Sequence, residues 1–295
     1  MNILYLVFGE NQQNHVQAYF SICSFLGQTD TYDRVYVMTD APDFYERLKG
    51  KIEILAINKT QLDDWQGKHQ FFWRAKIKAI EHICRLHPSE SVLYLDTDTF
   101  LYSDIKALKS DLENPIMHLN EGALSQLKSK TEKLMWQQVG NKTFGGILIQ
   151  SHHAMWNAGV VVIPADKGLK ICQLALDICD DMLVANVTRR LIEQFALGVA
   201  LSENGDMKPA ESYIGHYWSN KEEWSVAIQR FIINSSLKNN NLEADIEDIK
   251  HFNFSKIAIQ KRIPNTQIRL KKLITKWFPS EDKGFIDASG NKRIS

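Results

Sequence analysis

Ser91-Val92-Leu93-Tyr94-Leu95-Asp96-Thr97-Asp98-Thr99-Phe100 is the stretch that decides the fold. A continuous apolar run, rich in aliphatic and aromatic residues, stops at two carboxylates one residue apart. Such a run reads as a strand buried on both faces, the kind found inside a helix-covered sheet. Open α/β sheets bind their ligands at the carboxyl ends of strands. Side chains at i and i+2 of a strand project to the same side, so Asp96 and Asp98 are expected to converge on one ligand. Two close carboxylates repel unless a cation lies between them, and hard divalent ions prefer oxygen donors. Aspartates at strand ends also simply terminate strands or cap helices, so the flanking sequence has to decide.

Working outward, strand and helix signals alternate. Residues 2–8, 34–39 and 51–57 read as strands, 15–27 and 74–86 as helices, and the run to Leu95 as the fourth strand. Residues 115–119 and 157–164 predict further strands, and 168–184 and 188–201 amphipathic helices. The polar stretch 121–150, with Gly140, Gly145 and Gly146, is expected to be a loop-rich insertion. This β-α-β rhythm predicts an α/β fold with a mixed, mostly parallel sheet flanked by helices.

The chain has 295 residues, 35 Lys+Arg against 35 Asp+Glu, and formal net charge +0, so nothing in its overall charge favours a nucleic-acid partner. No apolar run approaches the roughly 18 residues needed to span a bilayer. Residues 1–8 lack a basic region and a cleavage site, and are expected to form a first strand, not a signal peptide. Cys23, Cys84, Cys172 and Cys179 fall on apolar helical faces without C-x-x-C spacing. They are expected to be core thiols, as in a reducing cytoplasm.

Phe8-Gly9 ends the first strand, the nucleotide side of such sheets, but the G-x-G-x-x-G of a dinucleotide fold is absent. Asp40, at the end of the second strand, suits a base or ribose, or equally a turn before Pro42. Arg74 and Lys78, at i and i+4, suit a diphosphate or an exposed basic face; Lys76 is expected to be exposed. Glu193-Gln194 offer a base or a polar group for developing positive charge. Gly215-His216-Tyr217-Trp218-Ser219-Asn220-Lys221 is too polar for core. His216 with Asp96 and Asp98 makes a two-carboxylate, one-imidazole set suited to Mn²⁺ or Mg²⁺. His152 and His153 face opposite ways on a strand and are expected to be surface or acceptor-side residues.

In order along residues 1–225, these pieces resemble a nucleotide-sugar glycosyltransferase of the GT-A (Rossmann-like) fold, closest in pattern to family 8, which includes glycogenin and bacterial lipopolysaccharide galactosyltransferases. Trp156-Asn157-Ala158-Gly159-Val160 is similar to that family's F-N-[SA]-G-V, and Glu193-Gln194 to its Asp-Gln. The resemblance implies a retaining hexosyltransferase with a UDP-sugar donor and a glycan, lipid or protein acceptor. It implies that Asp96, Asp98 and His216 hold the metal. Phe8, Gly9, Asp40, Arg74, Lys78, Asp96, Thr97, Gly159 and Lys221 would bind the nucleotide-sugar, and Gln194, Glu193 and Asn157 would line the reacting centre. The sequence departs from the family in its late motif: His216 to Lys221 is one residue shorter than H-x-x-G-x-x-K, without that glycine. A non-catalytic nucleotide- or glycan-binding protein of the same fold would keep the acids. An aspartate-based phosphatase also uses D-x-D, but on its first strand.

From 249 to 280 there is no acidic residue, while Lys250, Lys256, Lys261, Arg262, Arg269, Lys271, Lys272 and Lys276 accumulate. Residues 226–280 are therefore expected to be a basic amphipathic helical extension packed on the domain, able to touch a membrane peripherally through 256–278 on its cytoplasmic face. Residues 281–295 read as a tail.

Overall fold

The computed structural model describes residues 1–28, 32–262, 264–280, 285–286 and 292–293. They fall into two compact units, Met1–Ile259 and Gln260–Ser295.

The first unit opens with β1 (Asn2–Val7), α1 (Gln12–Leu26), β2 (Arg34–Thr39) and β3 (Glu53–Ala56). Next come α2 (Lys59–Gln66), α3 (Arg74–Leu86), β4 (Val92–Leu95), β5 (Thr99–Leu101) and the short α4 (Lys106–Ser110). The middle holds β6 (Ile116–Ala123), α5 (Lys130–Val139), the ribbon β7 (Thr143–Phe144) and β8 (Ile147–Leu148), and β9 (Ala154–Ile163), which Pro164 ends. The unit closes with α6 (Gly168–Val184), α7 (Ile192–Ser202), β10 (Lys208–Pro209), β11 (Ile214–His216), α8 (Lys221–Leu237) and α9 (Leu242–Lys250). The second unit contains α10 (Asn265–Trp277) and the antiparallel pair β12 (Phe285–Ile286) and β13 (Lys292–Arg293).

The central sheet has seven strands in the order β10-β6-β9-β4-β1-β2-β3. Strand β9 runs antiparallel to both neighbours, and the other pairings are parallel. The expected mixed, mostly parallel α/β sheet is thus observed. Val92 and Tyr94 of β4 enter the core layer that includes Ile77, Ile80 and Ile83 of α3 and Ile171 of α6. Leu93 and Leu95 enter the opposite layer, with Phe20 of α1 and Trp224 of α8. Both faces of β4 are covered, which is why its sequence runs apolar without alternation. Each fully buried side chain of this size contributes about 1.5–3 kcal/mol.

Three features differ from the sequence expectations. The stretch 121–150 contains α5 and a strand ribbon. The Ser129 side chain accepts from Glu132 N–H while the Glu132 carboxylate accepts from Ser129 N–H, a reciprocal cap that starts the helix. Helix α2, capped by Asn58, was not expected. The expected domain boundary at residue 225 falls inside α8, which with α9 packs against α1: Tyr19 donates to Asp245 at 2.7 Å and Gln17 to Ser225 at 3.1 Å. Residues 226–259 therefore belong to the first unit. Of the expected tail, all but 285–286 and 292–293 lies outside the described residues. The four cysteines are buried and free, as expected of core thiols. Among the described residues no helix is long and apolar enough to cross a membrane.

Beyond the sheet, β5 pairs antiparallel with β11, setting Gly215 opposite Phe100 and His216 opposite Thr99. The Phe100 ring is stacked on Trp224 and on Phe254, each at 4.6 Å. A Cβ on Gly215 would lie 2.4 Å from that ring, which has no room to withdraw. Gly215→Ala should cost about 1–3 kcal/mol in stability. The measurement is urea unfolding, in which an unshifted midpoint would mean that the ring stack yields freely.

Candidate functional site

Strand β4 stops at Leu95, so Asp96-Thr97-Asp98 form the turn into β5 instead of continuing the strand. The two acids converge because of this turn, not through the pleat of one strand. Asp96 N–H donates to Gly159 O on β9 at 2.9 Å, and Thr99 Oγ1 donates to Asp96 O at 2.8 Å. Tyr94 donates to the Asp96 carboxylate at 2.9 Å. Asp98 is 3% exposed, and Tyr217 N–H holds its backbone carbonyl at 3.1 Å. Ligand atoms of Asp96, Asp98 and His216 all lie within 4.8 Å of one another.

Which nitrogen of His216 carries a hydrogen follows from its neighbours. A backbone N–H can only donate, so Gly159 N–H, 3.0 Å from Asn157 Oδ1, orients the Asn157 amide. The same oxygen lies 2.8 Å from His216 Nδ1, which must therefore be a donor. In the neutral ring, Nε2 then presents a lone pair to Asp98 Oδ1 at 3.4 Å. A lone pair facing a carboxylate needs a cation between them, either a proton on the ring or a metal ion. The close approach depends on glycine: a Cβ at Gly159 would lie 2.1 Å from His216 Cε1. Lys221, exposed at the start of α8, sets its ammonium 2.8 Å from the other oxygen of Asp98. Burial would raise the Asp98 carboxyl, but a protonated His216 ring and Lys221 outweigh it and hold it far below the usual carboxylate range.

Lys76 was expected on the exposed face of α3 and is instead buried. Its ammonium reaches Asp96 at 3.2 Å, Glu193 at 3.0 Å and the Ala158 carbonyl at 3.1 Å. Burial would lower this ammonium, but Asp96 and Glu193 outweigh it and raise it above its ordinary value. Burial pushes the Glu193 carboxyl up against the pull of Lys76. The sequence carries a signal for this: Lys76 stands in register with Ala79, Ile80 and Ile83, on the apolar stripe of α3.

A cleft of about 480 Å³ opens over these groups, lined by Asp96, Asp98, Asn157, Gly159, Glu193, Gln194, His216 and Lys221, with Trp73 and Trp218 as exposed walls. Glu121 joins it, accepting from the Gln194 amide at 3.4 Å; burial, with Glu132 adding, raises its carboxyl. A second recess of about 240 Å³ leads from Asp96, Thr97 and Asp98 to Phe8, Phe72 and Trp73.

The expected phosphate pair is not brought here. Arg74 forms a two-pronged pair with Asp180 of α6 at 2.8 and 3.0 Å, and Lys78 pairs with Glu81 on its own helix. Both lie on faces of α3 turned from the cleft, where only Lys76 projects among the three. The Asp40 carboxylate accepts from Gly9 N–H at 2.9 Å, joining the ends of β1 and β2 outside both recesses. His152 and His153 stack near Glu203, away from the acids. Gln150 N–H donates to His153 Nδ1 at 2.9 Å, so Nε2 carries the hydrogen given to Glu203.

No family model matches the chain, and no curated protein matches its sequence. Among solved structures the chain is similar to galactosyltransferase LgtC with donor and acceptor sugar analogs, at 14% identity over 91% of this chain and 99% of that one, TM-score 0.46. It is similar to an active-site mutant of LgtC at 17% identity over 68% and 70% of the two chains, TM-score 0.46. The apo bifunctional glycosyltransferase WbbM is similar at 8% identity over 71% of this chain and 39% of that one, TM-score 0.44.

Removing the buried cation leaves Asp96 and Glu193 facing each other uncompensated. Lys76→Met should therefore destabilise the protein by about 3–5 kcal/mol. Lys221→Met, at an exposed side chain, should change stability by less than about 1 kcal/mol. Denaturant unfolding of both variants reads the contrast, and equal effects would contradict it.

Proposed function

We propose that the chain is a glycosyltransferase that moves a hexose from a nucleotide-diphosphate sugar, in the first instance a UDP-sugar, to a hydroxyl acceptor. Asp96, Asp98 and His216 would hold a divalent cation, Mn²⁺ or Mg²⁺. The observation that carries this is His216 Nε2 turned to the buried Asp98 carboxylate at 3.4 Å, with Asn157 Oδ1 fixing the ring from behind at Nδ1. Two oxygens and one nitrogen within 4.8 Å of one another suit such an ion, and the Asn157–His216 bond is the supporting contact a ligating imidazole needs. When bound, the ion stabilises the charge that builds on the departing nucleoside diphosphate.

Lys221 supplies a second positive charge. Its flexible stem would let the ammonium turn from Asp98 to a phosphate oxygen of the donor. Phe8 and Thr97 form the nucleotide side, lining the recess of about 240 Å³ where the Phe8 and Phe72 rings would receive a planar base. Gly159 lines the cleft and lets His216 close against β9, and its backbone would face the diphosphate-linked sugar. Gln194 gives its amide hydrogen to Glu121, which leaves its carbonyl oxygen to face positive charge developing on the sugar, as a retaining transfer requires. Glu193, paired with Lys76, and Asn157, paired with His216, act by holding these groups in place. The acceptor, a glycan, lipid or protein hydroxyl, would enter past Trp218 and Glu121.

Asp98→Asn keeps the shape of the side chain but removes its charge. UDP affinity in the presence of Mn²⁺ should fall at least about 100-fold by calorimetry, towards the metal-free value. Unchanged affinity would defeat the assignment. Gly159→Ala should act on the same measurement by displacing His216, with a loss of about 10-fold or more. Normal Mn²⁺-dependent binding in that variant would mean that His216 does not ligate. A UDP complex that neither hydrolyses nor transfers any UDP-hexose would identify a binding protein instead of an enzyme.

A further inference from the structure

We propose that His118 of β6 is a positioning residue for His216. It sets how that imidazole faces the acids, and so the affinity of the cation site proposed above, on which this role rests. His118 is 3% exposed and lines neither the cleft nor the second recess. Its Nε2 lies 3.1 Å from the Ile214 carbonyl, and a carbonyl oxygen only accepts, so this nitrogen carries the hydrogen. The His118 and His216 rings meet edge to face, with centroids 5.3 Å apart and planes at 90°. His216 is thus held at two places: Asn157 Oδ1 meets its Nδ1 at 2.8 Å, and His118 abuts the ring itself.

His118 also holds the strand that carries His216. Its backbone carbonyl accepts from Ala210 N–H at 3.1 Å, while its side chain donates to Ile214 O. One residue therefore grips both ends of the turn 210–214 that leads into β11, a turn closed by Ile214 N–H donating to Ala210 O at 3.0 Å. Among the described residues β11 has one strand partner, β5, and the His118 bond ties it directly to the central sheet. The register of β6 against β9 shifts at the same place: Met117 faces Val161, but Leu119 faces Asn157. Ala158, Gly159 and Val160 stand against His118 alone. An irregularity of this kind re-aims side chains, and here Asn157, Gly159 and His118 all meet one imidazole.

A histidine kept only for packing would owe nothing to its donor atom. His118 Nδ1 is buried without a hydrogen-bond partner among the described residues, so Nε2 alone fixes the ring. Glutamine can carry an N–H to the place of Nε2, asparagine ends nearer Nδ1, and phenylalanine fills the volume without a donor.

The test is Mn²⁺ titration of the full chain with UDP present, followed by the electron paramagnetic resonance of free Mn²⁺. His118→Phe and His118→Asn should each weaken Mn²⁺ binding about tenfold or more, as loss of a contact supporting a ligand does. His118→Gln should stay within about threefold of the parent. UDP affinity without Mn²⁺ should be the same in all four proteins, because His118 lines neither recess. Parent-like Mn²⁺ binding in the Phe and Asn variants, or a loss in the Gln variant equal to theirs, would overturn the proposal. So would metal-free UDP binding that falls in step with Mn²⁺ binding, the mark of a residue needed for the fold alone. Asp98→Asn separates the two levels. If it weakens Mn²⁺ binding and His118→Phe does not, only the role of His118 fails; if neither does, the cation site fails and this role with it.

Discussion

Two carboxylates at the mouth of a buried strand are a constraint that the rest of the first unit must answer. At about 4 Å, like charges near a protein surface repel by roughly 4 kcal/mol, and burial of Asp98 sharpens the cost. The answer comes from elements far apart in sequence. Lys76 arrives from α3, His216 from β11 and Lys221 from α8. Each reaches the acids only because the sheet sets α3, β11 and α8 around the end of β4. Lys76 and Lys221 differ in kind. Lys76 is locked among Asp96, Glu193 and a backbone carbonyl, whereas Lys221 is exposed on one side and free to exchange partners.

Strand β9 makes the arrangement possible. Running antiparallel beside β4, it delivers Asn157 and Gly159 directly behind the acids. Asn157 reads out a backbone N–H on one side and fixes an imidazole on the other, so a single amide transmits the geometry of the sheet to His216. Gly159 is required because the His216 ring occupies the place a Cβ would take. The β5–β11 ribbon, anchored by the Phe100 stack, supplies the opposite wall.

Much of this is legible in the residues. The apolar run 91–95 fixes a central strand, and the spacing over 74–86 and 168–184 gives both helices to the residue. Asp96, Asp98 and His216 read together as a donor set suited to a hard divalent ion, and their ligand atoms do gather within 4.8 Å, although each residue type has common structural roles. Other features lay outside the reach of spacing alone. Arg74 and Lys78 look like a phosphate clamp because they share a face, but which way that face turns depends on α6, whose Asp180 takes the arginine. Lys76 is the reverse case: a charge on an apolar stripe reads as an anomaly until its two carboxylates are in view. Helix α5 was hidden by its polar composition, although Ser129-Lys130-Thr131-Glu132 spells its cap.

The proposed transfer requires a cation between the Asp98 carboxylate and His216 Nε2. Anomalous diffraction at the manganese edge, from crystals grown with Mn²⁺ and UDP, measures this directly. A peak bonded to both acids and to Nε2, with Lys221 drawn from Asp98 to the diphosphate, is the expected result. Density for UDP with no metal peak there, and His216 still turned to Asp98 as an imidazolium, would contradict it.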